Sequence, residues 1–443
     1  MKESNKGITI IETVKNKLCH GCGTCESLCP NSAICLTKNS RKGEYLPILD
    51  EQKCNQCGIC FKVCPGHSVD FQLLNGDKLG VVSNSLYVGN YDALYIGHAR
   101  DNDVRYHSTS GGMVTAFLIF ALEEGIIDGA LVTRMSAEDP LRPEPFIARN
   151  RKDIISAAGS KYCPVPVNIA LKAVLENEGK YAVVGLPCHL HGLRKAQVLN
   201  KRLREQIVLC LGIFCGNTIS FLGTEYLLNQ LGVRKEEIEK LDYRCDGWPG
   251  NLTIYLKGNR KKISIPYMKY HDNMFGSFTP YRCTLCSDKL AELSDISFGD
   301  AWFPEFFVDK LGKSLLIVRN KEANYILHKI MSLGMAELNE ITIDKLMQLQ
   351  GGLEYFASWK KRKILCRLNI ARFLGKRVPS YNNIENSRQS LKEYMNSCLL
   401  YLERFLAMRP YFWIFLNMYW ALRERRLIFK KRRLGTKSEY SDC

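Results

Sequence analysis

The sequence predicts an α+β and α/β protein in three parts. A small cysteine-rich domain occupies residues 1–75. An α/β domain with an antiparallel insertion spans 87–355, and a basic, mainly helical tail runs over 360–443. Three observations carry this division. Eight cysteines between Cys19 and Cys64 recur in two copies of one spacing. Beyond residue 87, short apolar runs alternate with segments of helical periodicity, as they do when helices pack on a sheet. From Lys360 onward there are 20 Lys and Arg against 6 Asp and Glu, whereas the preceding residues hold 42 against 39. The net charge of +17 therefore belongs mostly to the tail. At 443 residues and 46% hydrophobic content, the chain can bury a sizeable core, which excludes wholesale disorder.

The first part reads Cys19-x-x-Cys22-x-x-Cys25-x-x-x-Cys29-Pro30, then Cys54-x-x-Cys57-x-x-Cys60-x-x-x-Cys64-Pro65. This is the spacing of a bacterial ferredoxin domain with two [4Fe-4S] clusters. Three cysteines of a loop take three corners of one cube, and the cysteine before proline ligates the other cube. Cys19, Cys22, Cys25 and Cys64 are thus assigned to one cluster, and Cys54, Cys57, Cys60 and Cys29 to the second. A zinc ribbon or a disulfide framework does not call for eight cysteines in duplicate, each copy closed by Cys-Pro. Gly21 and Gly58 give the loops backbone freedom. Ser32-Ala33-Ile34 and Ser68-Val69-Asp70 follow the two Cys-Pro pairs, a second sign of duplication. Cys35, outside both motifs, is expected to be a small buried hydrophobe.

Leu74 to Leu86 reads as a linker. Strands are expected at Tyr91–Ala99, Ile126–Val132, Tyr181–Gly185, Ile207–Phe214 and Lys313–Arg319. Helices are expected after Gly112, ending at Gly125, and over Ile169–Glu178 and Ala323–Ser332. Two alternating runs between Asn251 and Tyr267 flank Gly258-Asn259, which suits a hairpin turn. In the tail, Tyr411–Leu422 is mostly apolar but is only 12 residues long, short of the ~20 that cross a bilayer. Arg404, Arg409 and Arg423 bracket it.

Four further cysteines stand at strand ends or chelating spacing. Cys188 follows one predicted strand, Cys215 follows another, and Cys283-x-x-Cys286 is a compact pair. Ligand sites in α/β sheets form at the carboxyl ends of strands, so these four could close one thiolate site. Lone cysteines that merely pack, or a Cys-x-x-Cys pair serving zinc or redox chemistry, would look the same. Ser108-Thr109-Ser110-Gly111-Gly112 opens a helix. Such a turn can receive a phosphate or simply cap the helix, and spacing alone favours the cap. No GxGxxG fingerprint follows the first strand. His189 and His191, beside Cys188, are expected to be structural, and Asp300 to cap a following helix.

Taken in order, several segments resemble the beta-subunit family of coenzyme F420-reducing hydrogenases and the related formate dehydrogenase beta subunits. They are Arg105 with Ser108–Gly112, Gly159-Ser160-Lys161-Tyr162, Gly185-Leu186-Pro187-Cys188, Phe214-Cys215-Gly216, Tyr243-Arg244, Cys283-x-x-Cys286 and Asp295–Asp300. The resemblance covers roughly 87–355. It implies an α/β domain that binds FAD, with a third [4Fe-4S] cluster beside it on Cys188, Cys215, Cys283 and Cys286. It also implies flavin contacts from Arg105, Ser108, Ser110, Gly111, Gly112, Lys161 and Tyr162. His189 and Cys245 depart from the family's usual glutamine and basic residue.

The expected function is that of an iron–sulfur flavoprotein oxidoreductase. Electrons from a ferredoxin or other redox protein would pass through [4Fe-4S] clusters to FAD and a small organic substrate. The alternative is an electron-transfer subunit of a larger complex. No residue pattern supplies a nucleophile or a metal–water site, so hydrolysis and group transfer are not expected. With no secretory signal, the expected location is the cytoplasm. The tail suggests contact with an anionic membrane at its inner face. Nucleic acid is not expected, because no binding module accompanies the charge.

Overall fold

Tyr181-Ala182-Val183-Val184-Gly185 is apolar at nearly every position because both faces of its strand are covered. Ala182 joins one core layer, while Tyr181 and Val183 join another on the opposite face. Leu209 and Leu211 of the neighbouring Ile207–Ile213 strand repeat the alternation against Cys210. The computed structural model describes residues 7–75, 83–85, 87–258, 262–274, 276–352, 364–384 and 389–422. Most of the expected linker, the Gly258-Asn259 turn past Gly258, and the tail from Arg423 lie outside the described residues.

The central sheet has eight strands, in the order Ala336–Glu340, Ala93–Ala99, Ser314–Val318, Ile296–Asp300, Ile207–Ile213, Tyr181–Gly185, Gly129–Met135 and Pro143–Ala148. Neighbours from Ile296–Asp300 through Gly129–Met135 run parallel, and the flanking pairs are antiparallel. Helices Met113–Glu123 and Lys321–Ser332 cover one face, and Pro187–Leu199 with its neighbours covers the other. Gly125 follows the first of these helices with φ +66, the left-handed value that closes a helix C-terminus. The expected Ile169–Glu178 helix is split into a 3₁₀ turn over Val167–Ala170 and an α-helix over Leu171–Glu176. The insertion is a three-stranded antiparallel sheet of Ile238–Cys245, Asn251–Leu256 and Lys262–Pro266.

The cysteine-rich unit repeats its backbone as well as its sequence. Gly21 and Gln56 have φ +69 and +56, and Gly23 and Gly58 have +92 and +72, at matching positions of the two loops. A strand pair, Ile34–Asn39 with Glu44–Leu49, covers the unit. Cys35 corrects its expectation. Ile34 points into the unit, so by strand alternation Cys35 faces solvent and is exposed.

The unit docks tightly on the α/β domain. The Asn168 amide donates to the Cys22 carbonyl at 2.9 Å, and Asn168 Nδ2 donates to Thr24 Oγ1 and the His189 carbonyl, both at 2.8 Å. A Cβ on Gly23 would stand 2.6 Å from the Ile169 amide, which leaves room only for glycine. The tail returns to this junction. Ser380–Tyr381 pairs in parallel with Ser68–Val69, and Ile364 and Leu368 bury against Leu18 and Leu285. Asn168→Ala is expected to lower unfolding stability by about 1–3 kcal/mol, since it strands buried partners. A denaturant titration unchanged by the substitution would show that the dock does not depend on it.

Candidate functional site

Thiols gather in three groups. In the first, Cys19 and Cys25 are pushed up mainly by burial and then by neighbouring thiols, Cys64 and Cys22 acting on Cys19, and Cys19, Cys22 and Cys64 on Cys25. Cys22 is pushed up to about 11 by burial and by Cys64. In the second, Cys60 is raised by burial and by Cys57 and Cys29. A small cavity joins Cys29, Cys54, Cys57 and Cys60. The cysteine before each proline therefore sits with the other loop's three. Backbone amides of Gly21, Ala33 and Gly66 donate to the sulfurs of Cys19, Cys29 and Cys64 at 3.3, 3.2 and 3.3 Å.

The third group assembles from three places. Cys188 stands in the first turn of Pro187–Leu199, and Cys215 stands just past the Ile207–Ile213 strand, where its amide donates to the Lys289 carbonyl at 2.8 Å. Cys283 lies on the 3₁₀ turn Tyr281–Leu285 and Cys286 at its cap. Burial raises Cys188, and Cys283, Cys215, Cys22 and Cys286 raise it further. Cys283 is pushed up to about 12 by burial and by Cys286. Cys22 links this group to the first.

Crowded buried thiols stay protonated unless a cation compensates them, and metal binding supplies that compensation. Among the described residues, no three Cys, His, Asp or Glu side chains converge as ligands of a single ion. Each group of four separated sulfurs suits a four-iron cube, which takes each thiolate at its own corner.

Beside the third group lies a cavity of about 650 Å³, within the ~300–1,000 Å³ of cofactor sites. It sits at the carboxyl ends of the parallel strands, with Gly185, Leu186, Phe214, Cys215 and Asp300 in its wall. Ser108, Ser110, Gly112, Lys161 and Tyr162 line it as well. Arg105 and Gly111 do not line it. Arg105 ties down Gly312 and Asp309, and Gly111 packs on Gly97 and Ser314. The serine hydroxyls are committed to backbone, Ser108 to Val104 at 2.7 Å and Ser110 to Lys313 at 3.0 Å. What the turn can offer a phosphate is the N-terminal amides of Met113–Glu123, which lack intrahelical partners. Lys161 donates to the Ala157, Ala158 and Gly159 carbonyls, and burial pushes its pKa down to about 8.

The wall also holds Asp300 and the rings of Tyr267 and Trp302, two residues with no role assigned from the sequence, and Arg244 packs on those rings. Arg244 pairs with Asp300 at 2.8 Å and stands over the rings of Tyr267 and Trp302, at 4.3 and 5.4 Å from their centroids. Those two rings stack at 5.9 Å, and His271 lies 4.6 Å from Tyr267. Asp300 therefore binds Arg244 and the Trp248 indole rather than capping a helix. The aromatic walls suit a flat conjugated ring, and the helix amides suit its phosphates. His189 bonds the Leu186 amide and the Val165 carbonyl, and burial pushes it down to about 4, a structural role as expected.

Dicluster cysteines joined to an α/β domain with a cavity at its strand ends define an iron–sulfur oxidoreductase. The chain belongs to the coenzyme F420 hydrogenase/dehydrogenase beta subunit family. Residues 94–172 match the family's N-terminal part, residues 178–344 its C-terminal part, and residues 18–67 a 4Fe-4S dicluster domain. A coenzyme F420 hydrogenase subunit beta from Methanothermobacter thermautotrophicus is 28% identical over 300 residues, covering 66% of this chain and 100% of that protein. A coenzyme F420-dependent sulfite reductase from Methanocaldococcus jannaschii is 27% identical over 353 residues, covering 76% of this chain and 50% of that protein, so the chain spans about half its length. A chain of the F420-reducing [NiFe] hydrogenase complex from Methanosarcina barkeri superposes with a TM-score of 0.49 at 24% identity, covering 67% of this chain and 93% of that one.

A four-iron cube at each of the three thiol groups would bring an anaerobically prepared chain to about twelve irons. Cys283→Ser should reduce this to about eight, with acid-labile sulfide falling in step. Equal iron in both proteins would remove the third group from the reading.

Proposed function

We propose that the chain is an iron–sulfur flavoprotein oxidoreductase. It takes single electrons from a ferredoxin-type donor and delivers them in pairs, at FAD, to a small organic substrate. The observation that carries this is the order of the thiol groups. Cys57 is exposed, Cys22 and Cys25 are buried, Cys22 acts on Cys188, and Cys215 stands in the cavity wall. A line of thiol sites from surface to cavity is what delivery of electrons to a sheltered ring requires. Bound clusters supply one-electron chemistry, and a flavin joins two such electrons for an organic reduction. The cavity wall shelters the ring, and Tyr267 and Trp302 offer it a flat aromatic surface. The names of the relatives make a deazaflavin coenzyme one candidate for the substrate.

The second reading is an electron-transfer subunit of a larger complex, and the family's beta-subunit name favours it. The two readings part on purification. A stoichiometric catalytic partner points to the subunit, and turnover by the chain alone points to the enzyme.

Denatured protein should release FAD. On mixing with reduced low-potential ferredoxin, Cys188→Ser should still take up electrons at the N-terminal clusters while its flavin stays oxidised. Flavin reduction at the wild-type rate in this variant would break the proposed order.

We also infer that the tail docks on an anionic membrane surface. One side of its helices packs on the core through the buried Ala407 and Leu416. The other side exposes Leu391, Met395, Leu402 and Phe405, then Ile414, Phe415 and Met418. An apolar stripe within a strongly basic segment suits the headgroup boundary of anionic lipid. Full-length protein should sediment with phosphatidylglycerol vesicles, and the binding should weaken in high salt and in Phe415→Asp/Met418→Asp. No sedimentation of the wild type at low salt would end this reading.

A further inference from the structure

Arg282 is a guanidinium buried to 1% exposure. Among the described residues, no carboxylate lies within ion-pair distance of it. It stands between two cysteine groups. Its Nε donates to the Gly66 carbonyl at 2.9 Å and its Nη2 to the Pro65 carbonyl at 3.3 Å, directly after Cys64. Its own next residue is Cys283, and its charge also opposes the burial that raises Cys283 and Cys286 of the third group, so it serves both groups inward of the outer one. The guanidinium lies over the Tyr381 ring at 5.3 Å, and its Nη1 is buried without an acceptor in hydrogen-bonding geometry. A second cation reaches the same loop, since Lys195 Nζ donates to the Cys64 carbonyl at 2.6 Å and the Ser68 carbonyl at 3.1 Å. Both come from the α/β domain. The cavity of the outer group, by contrast, is lined by Thr9, Pro30, Ile34, Leu49, Asn55 and Gly58 beside its cysteines, with no lysine or arginine.

We propose that Arg282, assisted by Lys195, compensates charge at the inner group of Cys19, Cys22, Cys25 and Cys64, making it the easier of the two N-terminal groups to reduce and directing electrons inward. This rests on the two-cluster reading of the cysteine motifs. Each one-electron reduction adds one negative charge, and net charge and hydrogen bonding set the potential of such a site. A fixed cation in a water-poor interior stabilises that added charge far more than one at the surface. One electron leaves the outer group and one arrives at the inner group. Arg282 stays protonated throughout, so no proton has to move. Lys195 acts in the same sense from a half-buried position, where solvent screens more of its charge.

A purely structural role would make Arg282 a clamp on Pro65 and Gly66 with no effect on potential. The two roles separate in substitutions of full-length, anaerobically reconstituted protein. Iron and sulfide are counted first, because a wild-type value below eight irons would overturn the two-cluster reading itself rather than the role of Arg282. An EPR-monitored redox titration then reads the two N-terminal signals, with the outer one assigned by its change in Cys57→Ser.

In Arg282→Gln the ratio of reduced inner to reduced outer sites should fall at least about tenfold, a separation of about 59 mV for one electron. The outer midpoint should stay in place. Arg282→Lys, which keeps the charge, should lie near wild type, and Lys195→Gln should move the inner signal the same way by less. An unmoved inner midpoint in fully loaded Arg282→Gln overturns the proposal, as does an equal shift of both signals. Where Arg282→Gln fails to hold its iron, Lys195→Gln decides. A negative shift confined to the inner signal supports the proposal, and no shift overturns it.

Discussion

The fold depends on one costly constraint, the gathering of thiols in a protein interior. Cys19, Cys22 and Cys25 of the first group, and Cys188, Cys215 and Cys283 of the third, are raised by burial and then by neighbouring thiols, so none of these is at ease as free thiolate. Such groups persist only where the backbone holds them together. Here two loops with matched left-handed residues, a helix N-terminus, a strand end and a 3₁₀ turn hold them. The cysteine-rich unit cannot be a loosely tethered neighbour. Asn168, with no accessible surface, binds the Cys22 carbonyl, the Thr24 hydroxyl and the His189 carbonyl together. One residue, through its backbone amide and its side chain, thus fixes the loop of one thiol group to the helix that carries Cys188 of the next.

The sheet explains why the third group and the cavity adjoin. Parallel strands end on one side, and the chain leaving each strand must turn there. Gly185 leads through Leu186 and Pro187 to Cys188, Ile213 leads through Phe214 to Cys215, and Phe298–Asp300 closes the same rim. Phe214 and Phe298 join through a backbone hydrogen bond at 2.8 Å, which holds Cys215 at the edge of the cavity. A Cβ on Gly299 would stand 1.9 Å from the Phe214 ring, so glycine is what allows this rim to close.

Much of this was legible in the sequence, for identifiable reasons. The two cluster loops announced themselves because three ligands lie within seven residues and the pattern is duplicated. The fully buried strands at Tyr181 and Ile207 were legible because burial on both faces leaves an unbroken apolar run. The four cysteines of the third group were joined by spacing only as one open possibility, and more firmly by the family resemblance, because spacing does not show that three separate elements meet. The wall of Asp300, Tyr267 and Trp302, with Arg244 packed on it, was legible only in part: Arg244 and Asp300 lie in segments that carry the family resemblance, whereas Tyr267 and Trp302 gave no signal. Each of its members looks ordinary in its own segment, and only the packing of the insertion against the sheet makes them neighbours. Asp300 looked like a helix cap because short-range chemistry is all a sequence offers an aspartate, and a buried arginine 56 residues away outweighed it. Cys35 was misread because strand register, not residue type, decides which way a side chain points.

The tail shows how packing and charge can be used together. Its sequence suggested a membrane-facing segment or a helical extension packed on the core with its charges solvated, but its parts have different work. Ile364 and Leu368 seal Leu285, next to the Cys283 and Cys286 turn, while Arg367 donates to the Thr284 carbonyl at 3.1 Å. Arg404, half-buried, is held below its usual range by desolvation and sits close enough to Glu44 and Cys283 for both to act on it. Burying a guanidinium is costly unless something negative compensates it. The thiols of the third group need positive charge once they are ionised, and buried arginines need negative charge. Each therefore removes part of the cost of the other, and that mutual compensation accounts for basic residues of a surface tail being drawn into the interior beside the cysteines.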